Sequence, residues 1–178
     1  MLNNVCIYIH LLWYTDAILF VRIARMNIPE SSVINSAVAL AESMMTRHPS
    51  GSLRWHYETG LFLSSLWSLS DFLRDDHYKD YIKAHADALV DASGAILGYK
   101  DDEYNLDQIN SGKILLELSC SYDDRRYAAA CETLGEQLAA HPRTDSGSYW
   151  HKKIYPYQVW LDGLYMFGPF AARYALLH

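Results

Sequence analysis

The sequence is poor in cysteine. Only three of its 178 residues are cysteines, and no two of them form a Cys-x-x-Cys pair. This usage argues against a disulfide framework and against a structural zinc site, and it fits a reducing compartment, so we expect a cytoplasmic protein. The eight histidines show no His-Glu-x-x-His or other metal-ligand spacing. We therefore predict neither a metal nor a cofactor.

Positive charge is also in the minority. The chain has 15 lysines and arginines against 21 aspartates and glutamates, and its formal net charge is −6. The basic residues are scattered and form no stripe that would neutralise phosphates, so we expect no nucleic-acid partner. Apolar residues, in contrast, make up 51% of the chain, which also holds 14 Tyr, 5 Trp and 5 Phe. Such a composition predicts a globular domain whose aromatic rings fill a core or line a sugar-binding cleft.

The most apolar stretches, 5–15 and 17–23, lie at the N-terminus, where His10, Asp16 and Arg22 interrupt them. No lysine or arginine precedes the first stretch and no small-residue cleavage site follows the second, which argues against a secretory signal. We interpret this region as a buried helix and expect no membrane partner. A membrane anchor is the alternative.

Helical periodicity dominates the rest of the chain and predicts an all-α protein. Residues 77–92 and 125–140 each carry one apolar stripe, which predicts surface helices. Their N-caps are expected among the acidic pairs that precede them, Asp75 with Asp76 and Asp123 with Asp124. Three other segments are apolar or small on nearly every face and are predicted to be buried all round: 60–73, 112–120 and 160–176.

Each buried segment begins at or near a glycine that follows a polar or aromatic cluster. The glycines, 52 and 51 residues apart, are Gly60, Gly112 and Gly163. This spacing predicts a helical hairpin repeated about three times, with the inner helices packed together and the outer helices facing water. We expect the starts of the inner helices to converge at one end and to bring Tyr57, Asp107 and Asp162 into one neighbourhood.

At these clusters the chain resembles a known family. The specific stretches are Trp55-His56-Tyr57-Glu58-Thr59-Gly60, Tyr104-Asn105-Leu106-Asp107, His141-Pro142-Arg143-Thr144, Trp150-His151-Lys152 and Gln158-Val159-Trp160-Leu161-Asp162-Gly163-Leu164-Tyr165-Met166. They resemble the unsaturated uronyl hydrolases of glycoside hydrolase families 88 and 105, which include unsaturated rhamnogalacturonyl hydrolase. The resemblance runs from about Ser32 to Leu177, so we predict an N-terminal extension over 1–31 and a glycoside hydrolase domain over 32–178.

The resemblance implies an (α/α)6 barrel, the six-hairpin glycosidase fold. At one hairpin per 51 to 52 residues, a full circuit needs roughly 310 residues. We therefore expect the N-terminal half of the barrel, about three hairpins plus an N-terminal helix, without the active-site residues that the family places later. Such a partial barrel is expected to expose an open flank and to self-associate through it.

The resemblance also implies roles for two carboxyl groups. Asp162 matches the general acid/base that protonates C4 of a terminal unsaturated uronic acid while water adds at C5. One carboxyl group serves both proton transfers if burial raises its pKa. Asp107 matches a substrate-contacting aspartate and is expected to oppose ionisation of Asp162. The alternative for both residues is a structural role at the start of a helix, as a cap.

Four further residues are implied as substrate-binding. His151 matches a histidine near the substrate uronate, and Tyr57 and Trp55 match aromatic positions at the cleft wall. Trp160 is expected to stack on a sugar ring or to exclude water from Asp162. The alternatives are core packing for the three aromatic residues and a surface position for His151. We interpret Arg143 as part of a structural turn and not as a clamp for the substrate carboxylate.

These residues predict a hydrolase that removes a terminal unsaturated uronic acid from lyase-generated oligosaccharides. We favour a rhamnogalacturonan disaccharide, and hence pectin degradation, over an unsaturated glucuronyl substrate. Two alternatives stay open, an inactive truncated fragment and a non-catalytic helical-repeat interaction module. A scaffold has no need of Asp162, Asp107 and His151 at one end of the inner helices, so substitution of these residues separates the hypotheses.

Overall fold

The computed structural model describes residues 30–177, which contain helices and three isolated β-bridges but no strand. The chain divides into two compact units, 1–47 and 48–178. In the first unit the structure describes helix α1 (Glu30–Arg47). The buried helix or membrane anchor predicted over 5–23 lies outside the described residues. None of the described helices is both long and apolar enough to span a bilayer.

The second unit is built from six α-helices and one short 3-10 helix, Asp101–Glu103. The α-helices are α2 (Tyr57–Leu73), α3 (His77–Leu89), α4 (Leu106–Ile109), α5 (Gly112–Ser121), α6 (Arg125–Ala140) and α7 (Leu161–Leu177). Helix α2 packs on α3 and α5, and α5 packs on α6 and α7. The prediction of an all-α chain of helical hairpins is confirmed.

The two outer helices, α3 and α6, bury the apolar stripes that predicted them. Helix α6 has the predicted ends, and Asp124 caps it by accepting the Arg126 N–H at 3.0 Å. Helix α3 ends at Leu89, earlier than expected, because Val90 leaves the helix and forms a β-bridge with Ile96.

Burial of the inner helices differs from the prediction at the two flanks. Helix α5 is buried on nearly every side, as expected. Helices α2 and α7, however, keep apolar side chains exposed, among them Phe72 (50% exposed) on α2 and Leu161 (85%) on α7. The reason is positional: α5 lies between α2 and α7, whereas each of these contacts α5 with one side only.

The repeating glycines mark close approaches between elements. A Cβ on Gly60 would lie 2.6 Å from Ser111 Cα, and a Cβ on Gly112 would lie 2.8 Å from the Phe170 ring. Such distances leave room for glycine alone. The Ser111 hydroxyl also donates to the His56 carbonyl at 2.7 Å. The starts of α2 and α5 therefore meet at Gly60, whereas Gly112 packs against side chains of α6 and α7.

Candidate active site

Asp107 lies in the first turn of α4, next to the loop that precedes α7. Asn105 caps α4 by accepting the Asp107 N–H at 3.0 Å, so Asp107 itself is not the N-cap. Its carboxylate points elsewhere. Oδ1 lies 3.4 Å from His151 Nε2, and Oδ2 lies 2.7 Å from Lys152 Nζ. Asp107 thus joins two consecutive residues of a distant loop.

The backbone of His151 is held on both sides. Its N–H donates to the Gln158 carbonyl at 2.7 Å, and its carbonyl accepts the Leu106 N–H at 3.1 Å. Asn105 and Lys152 form a β-bridge beside it. These bonds fasten the loop to the segment that enters α4, so His151 is buried, in contrast to the surface position that was its alternative.

The His151 ring is one end of a stack of three aromatic rings. Trp160 lies parallel to it, with ring centroids 4.2 Å apart and 9° between the planes, and the Tyr155 ring stacks on the indole with centroids 5.5 Å apart and 17° between the planes. The Trp160 Nε1–H donates to the Gln158 side-chain oxygen at 3.0 Å. Trp160 therefore packs against two rings, and its side chain remains 39% exposed.

The charge state of His151 follows from its surroundings. Burial lowers the pKa of His151, the carboxylates of Asp107 and Asp162 raise it, and Lys152 lowers it, with a net decrease. The imidazole is therefore neutral at pH 7. Its Nδ1 is buried without a hydrogen-bond partner and lies 3.2 Å from where a Cβ on Gly163 would be. The effect of Asp162 on this pKa places both aspartates in one electrostatic neighbourhood.

Asp162 lies in the first turn of α7, as expected, and is exposed. The sequence interpretation relied on burial to raise the pKa of its carboxyl group, and in this chain the residue is not buried. The cause is its place on the exposed side of α7, beside Leu161 and Leu164.

Trp55 and Tyr57 lie at the start of α2, a helix that contacts both α4 and α5. Trp55 is buried, and the Tyr57 ring lies against His56 with centroids 4.5 Å apart. Over residues 30–177, no hydrogen bond, ion pair or ring contact joins either residue to Asp107 or His151. The structure thus brings together Asp107, His151, Trp160 and Asp162 and leaves two of the expected residues at a neighbouring helix start.

Lys152 is the residue of the cluster that the sequence interpretation missed. Its signal was its place beside His151 in Trp150-His151-Lys152, but a lysine in a polar loop is an ordinary surface feature. Only the fold brings it within 2.7 Å of Asp107. Within residues 30–177 no group of three or more His, Cys, Asp or Glu side chains is arranged to hold a metal ion.

A cavity of about 280 Å³ opens beside the aromatic stack, with Trp160, Gly163 and Phe167 in its wall and Arg143 among its lining residues. The Arg143 guanidinium donates to the Gly147 carbonyl at 2.8 Å and to the Tyr149 hydroxyl at 2.6 Å. These bonds close the loop on itself, in agreement with the interpretation of Arg143 as part of a structural turn.

Comparison with known proteins extends these observations. The family model described as Glycosyl Hydrolase Family 88 matches residues 36–178. A glycoside hydrolase from family 105 of C. acetobutylicum ATCC 824, known from its solved structure, is 38% identical, with a TM-score of 0.73. The match covers 78% of this chain and 39% of that chain, so the present chain spans about two-fifths of the relative's length. The expected partial six-hairpin fold is confirmed, and the chain belongs to glycoside hydrolase family 88.

Proposed function

We propose that this chain carries the acid/base side of a site that releases a terminal 4,5-unsaturated uronic acid from lyase-generated oligosaccharides. One observation carries the proposal: Asp107, His151 and Lys152 form a charged cluster within electrostatic reach of Asp162. Family membership supports the same class of reaction. A cluster of this kind, at the start of the inner helices, has no evident use in a scaffold.

In the proposed reaction Asp162 first acts as an acid. Its carboxyl group donates a proton to C4 of the sugar, water adds at C5, and the water proton returns to the carboxylate. The resulting hemiketal opens to a ketone at C5 and leaves a hemiacetal at C1. The hemiacetal then expels the aglycone as an alcohol and becomes an aldehyde. Asp162 ends the cycle protonated, as it began.

The cluster provides the electrostatics of this step. We assign the Lys152 ammonium to the uronate carboxylate of the substrate, because a lysine is a suitable partner for an anionic group and lies beside the reacting region. Substrate binding then draws Lys152 away from Asp107. The negative charge of Asp107 is released to oppose ionisation of Asp162, which substitutes for the burial that Asp162 lacks. His151, which is neutral, holds its Nε2 3.4 Å from Asp107 and faces the region proposed for the sugar.

The substrate that we propose is an unsaturated rhamnogalacturonan disaccharide, and the process is pectin degradation. This choice rests on the family resemblance. Trp55 and Tyr57 are assigned to the wall of the cleft at the start of α2, and Trp160 supports His151 from within the stack. The boundary between an N-terminal extension and the hydrolase domain is placed at residues 31 and 32.

The test compares Asp162→Asn with Asp80→Asn, since Asp80 is likewise an exposed aspartate in the first turn of a helix. Turnover of the unsaturated disaccharide is followed by the loss of its conjugated double-bond absorbance. We expect Asp162→Asn to lower turnover by about 100-fold or more, with an unchanged melting temperature, and Asp80→Asn to have no effect. Retained turnover in Asp162→Asn contradicts the assignment.

A second readout covers binding by this chain. We expect the disaccharide to move the His151 imidazole signals in NMR spectra of the parent protein and to leave those of His77, an exposed residue on α3, in place. If the chain shows no turnover and the disaccharide causes no shift at His151, the chain acts as a helical-repeat scaffold or is an inactive fragment.

We also propose that a second copy of the chain covers the exposed flank of α7. Eight of the thirteen exposed large hydrophobic residues described fall within 154–165, a concentration that soluble monomers rarely leave open. Helix α2 offers a matching exposed side at Leu61 and Phe72. Placing α7 of one copy beside α2 of another repeats the contact between inner helices that α2 and α7 each make with α5.

A further inference from the structure

Three residues other than glycine have a positive φ within residues 30–177. They are Arg74 (φ 56°), Tyr104 (φ 40°) and Tyr157 (φ 63°). A bulky side chain disfavours this left-handed conformation, so surrounding contacts must impose it. For Arg74 and Tyr104 the reason is ordinary: they end α2 and the 3-10 helix as left-handed C-caps, and their N–H groups donate to the carbonyls of Ser70 and Asp101.

The two tyrosines occupy corresponding places around His151. Tyr104 directly precedes Asn105 and Leu106. Asn105 forms a β-bridge with Lys152, and the Leu106 N–H donates to the His151 carbonyl at 3.1 Å. Tyr157 directly precedes Gln158, whose carbonyl accepts the His151 N–H at 2.7 Å. Each segment that holds the His151 backbone is therefore entered through a left-handed tyrosine.

Tyr157 is not a helix cap: it is the third residue of the turn 155–158, which the Gln158 N–H closes by donating to the Tyr155 carbonyl at 3.2 Å, and its side chain is 68% exposed. Burial therefore does not explain why this position carries a tyrosine, when glycine would adopt the same backbone without strain. The Tyr157 ring, however, lies against Trp150, the neighbour of His151, with centroids 4.7 Å apart. The ring thus anchors the turn to the residue before His151, while the backbone directs Gln158 to the residue itself.

Gln158 connects this turn to the whole stack. Its backbone carbonyl binds the His151 N–H, and its side chain binds the Trp160 Nε1–H at 3.0 Å. A change in the direction of the chain at Tyr157 would move both partners together. His151 Nε2 would then lose its position 3.4 Å from Asp107.

We propose that Tyr157 is a positioning residue for His151: its ring anchors the turn 155–158 to Trp150, and its left-handed backbone in that turn sets the register in which Gln158 holds His151 and Trp160 and directs the imidazole at Asp107. Tyr157 itself touches no reacting atom. The inference rests on the proposed function, because it gives the Asp107 and His151 pair its use.

The test follows the His151 imidazole by NMR in three variants of the full chain. Tyr157→Gly relieves the strain and removes the ring, Tyr157→Phe keeps the ring, and Arg74→Gly relieves strain of the same kind at the end of α2. The titratable groups that face His151, namely Asp107, His141, Lys152 and Asp162, are unchanged in all three variants.

We expect Tyr157→Gly to melt no lower than the parent and yet to shift the titration midpoint of His151 upwards by about half a pH unit, because a loosened ring loses part of the burial that lowers its pKa. Tyr157→Phe and Arg74→Gly should titrate as the parent does. An unchanged His151 in Tyr157→Gly overturns the proposal. So does a shift that His85, on α3, shares, since this would mark a general loss of structure.

The two proposals fail separately. The His151 readout needs no turnover, so retained activity in Asp162→Asn contradicts the function and leaves the positioning role intact. An unchanged His151 in Tyr157→Gly contradicts the positioning role and leaves the function intact. Where both hold, Tyr157→Gly should also lower kcat for the unsaturated disaccharide about tenfold, and Tyr157→Phe should restore it.

Discussion

The Trp160 ring lies 4.2 Å from the His151 ring and within 9° of parallel, and Gln158 bonds to both residues. The contact shows that one of the many aromatic side chains packs against a histidine, a role that the composition alone did not suggest. Aromatic residues in a glycosidase invite interpretation as platforms for sugar rings. Here the Trp160 ring packs against the His151 imidazole and the Tyr155 ring.

The charges around His151 should shift its pKa in opposite directions. Asp107 raises this pKa and Lys152 lowers it. We therefore expect Asp107→Asn to lower the midpoint of the His151 titration further, because the imidazolium loses its anionic neighbour. Lys152→Gln should raise the midpoint, because a repelling cation is removed.

NMR titration of the His151 ring measures both effects. Lys153→Gln is the matched control, since Lys153 is the next residue in the chain and its ammonium donates to the Asp102 carbonyl instead. Shifts of the same sign in Asp107→Asn and Lys152→Gln would contradict the electrostatic arrangement of the cluster.

Three buried histidines should make the stability of the protein depend on pH. Burial lowers the pKa of His85, His141 and His151 below the value of 6.5 expected in the unfolded chain. Between pH 6.5 and the lower folded values, the unfolded chain binds more protons than the folded one. Stability is therefore fully present above pH 6.5 and is lost as the pH falls, by up to about 1.4 kcal/mol per pH unit for each histidine.

Urea unfolding at pH 7.5 and at pH 5.5 measures this dependence. The free energy of unfolding should be smaller at pH 5.5. His77→Gln is the control, because this histidine is exposed at the start of α3, and the pH dependence should survive its loss. Equal stability at the two pH values would mean that folding does not lower the pKa of the buried histidines.

The sequence was informative where structure depends on local pattern. Helix α6 has the predicted ends because an apolar stripe and the Asp124 cap define them. The period of the inner helices could be read because a glycine stands at a close approach near the start of each of them, and at Gly60 the approach is to backbone atoms. Other features depend on contacts between distant residues. The pair of Asp107 and Lys152 exists because a loop folds back onto α4, and the exposed side of α7 depends on which neighbours surround it. No local pattern encodes either feature.

Replacement of Gly60 tests whether the period reflects packing. A Cβ at this position would lie 2.6 Å from the Cα of Ser111 and 2.8 Å from its backbone nitrogen, neither of which can move like a flexible side chain. We expect Gly60→Ala to destabilise the protein by about 1–3 kcal/mol, although alanine favours helices.

Urea unfolding measures the change. Ser68→Ala on the exposed side of the same helix is the control, and it should change stability by less than about 0.5 kcal/mol. If Gly60→Ala proved as stable as the parent, α2 and α5 would not approach as closely as the structure has them.

Self-association can be tested at Leu161, the most exposed of the large apolar residues on α7 at 85%. A lysine there places a charge in the centre of the proposed contact between α7 of one copy and α2 of another. Desolvating an unpaired ammonium in an apolar interface is costly, so Leu161→Lys should favour the monomer.

Leu97→Lys is the control. It makes the same change at a residue that is 68% exposed and does not belong to α7, and it should behave as the parent does. Light scattering across a range of protein concentrations measures the molar mass. A parent chain that is monomeric at every concentration contradicts the contact, and equal dissociation of both variants assigns the effect to net charge.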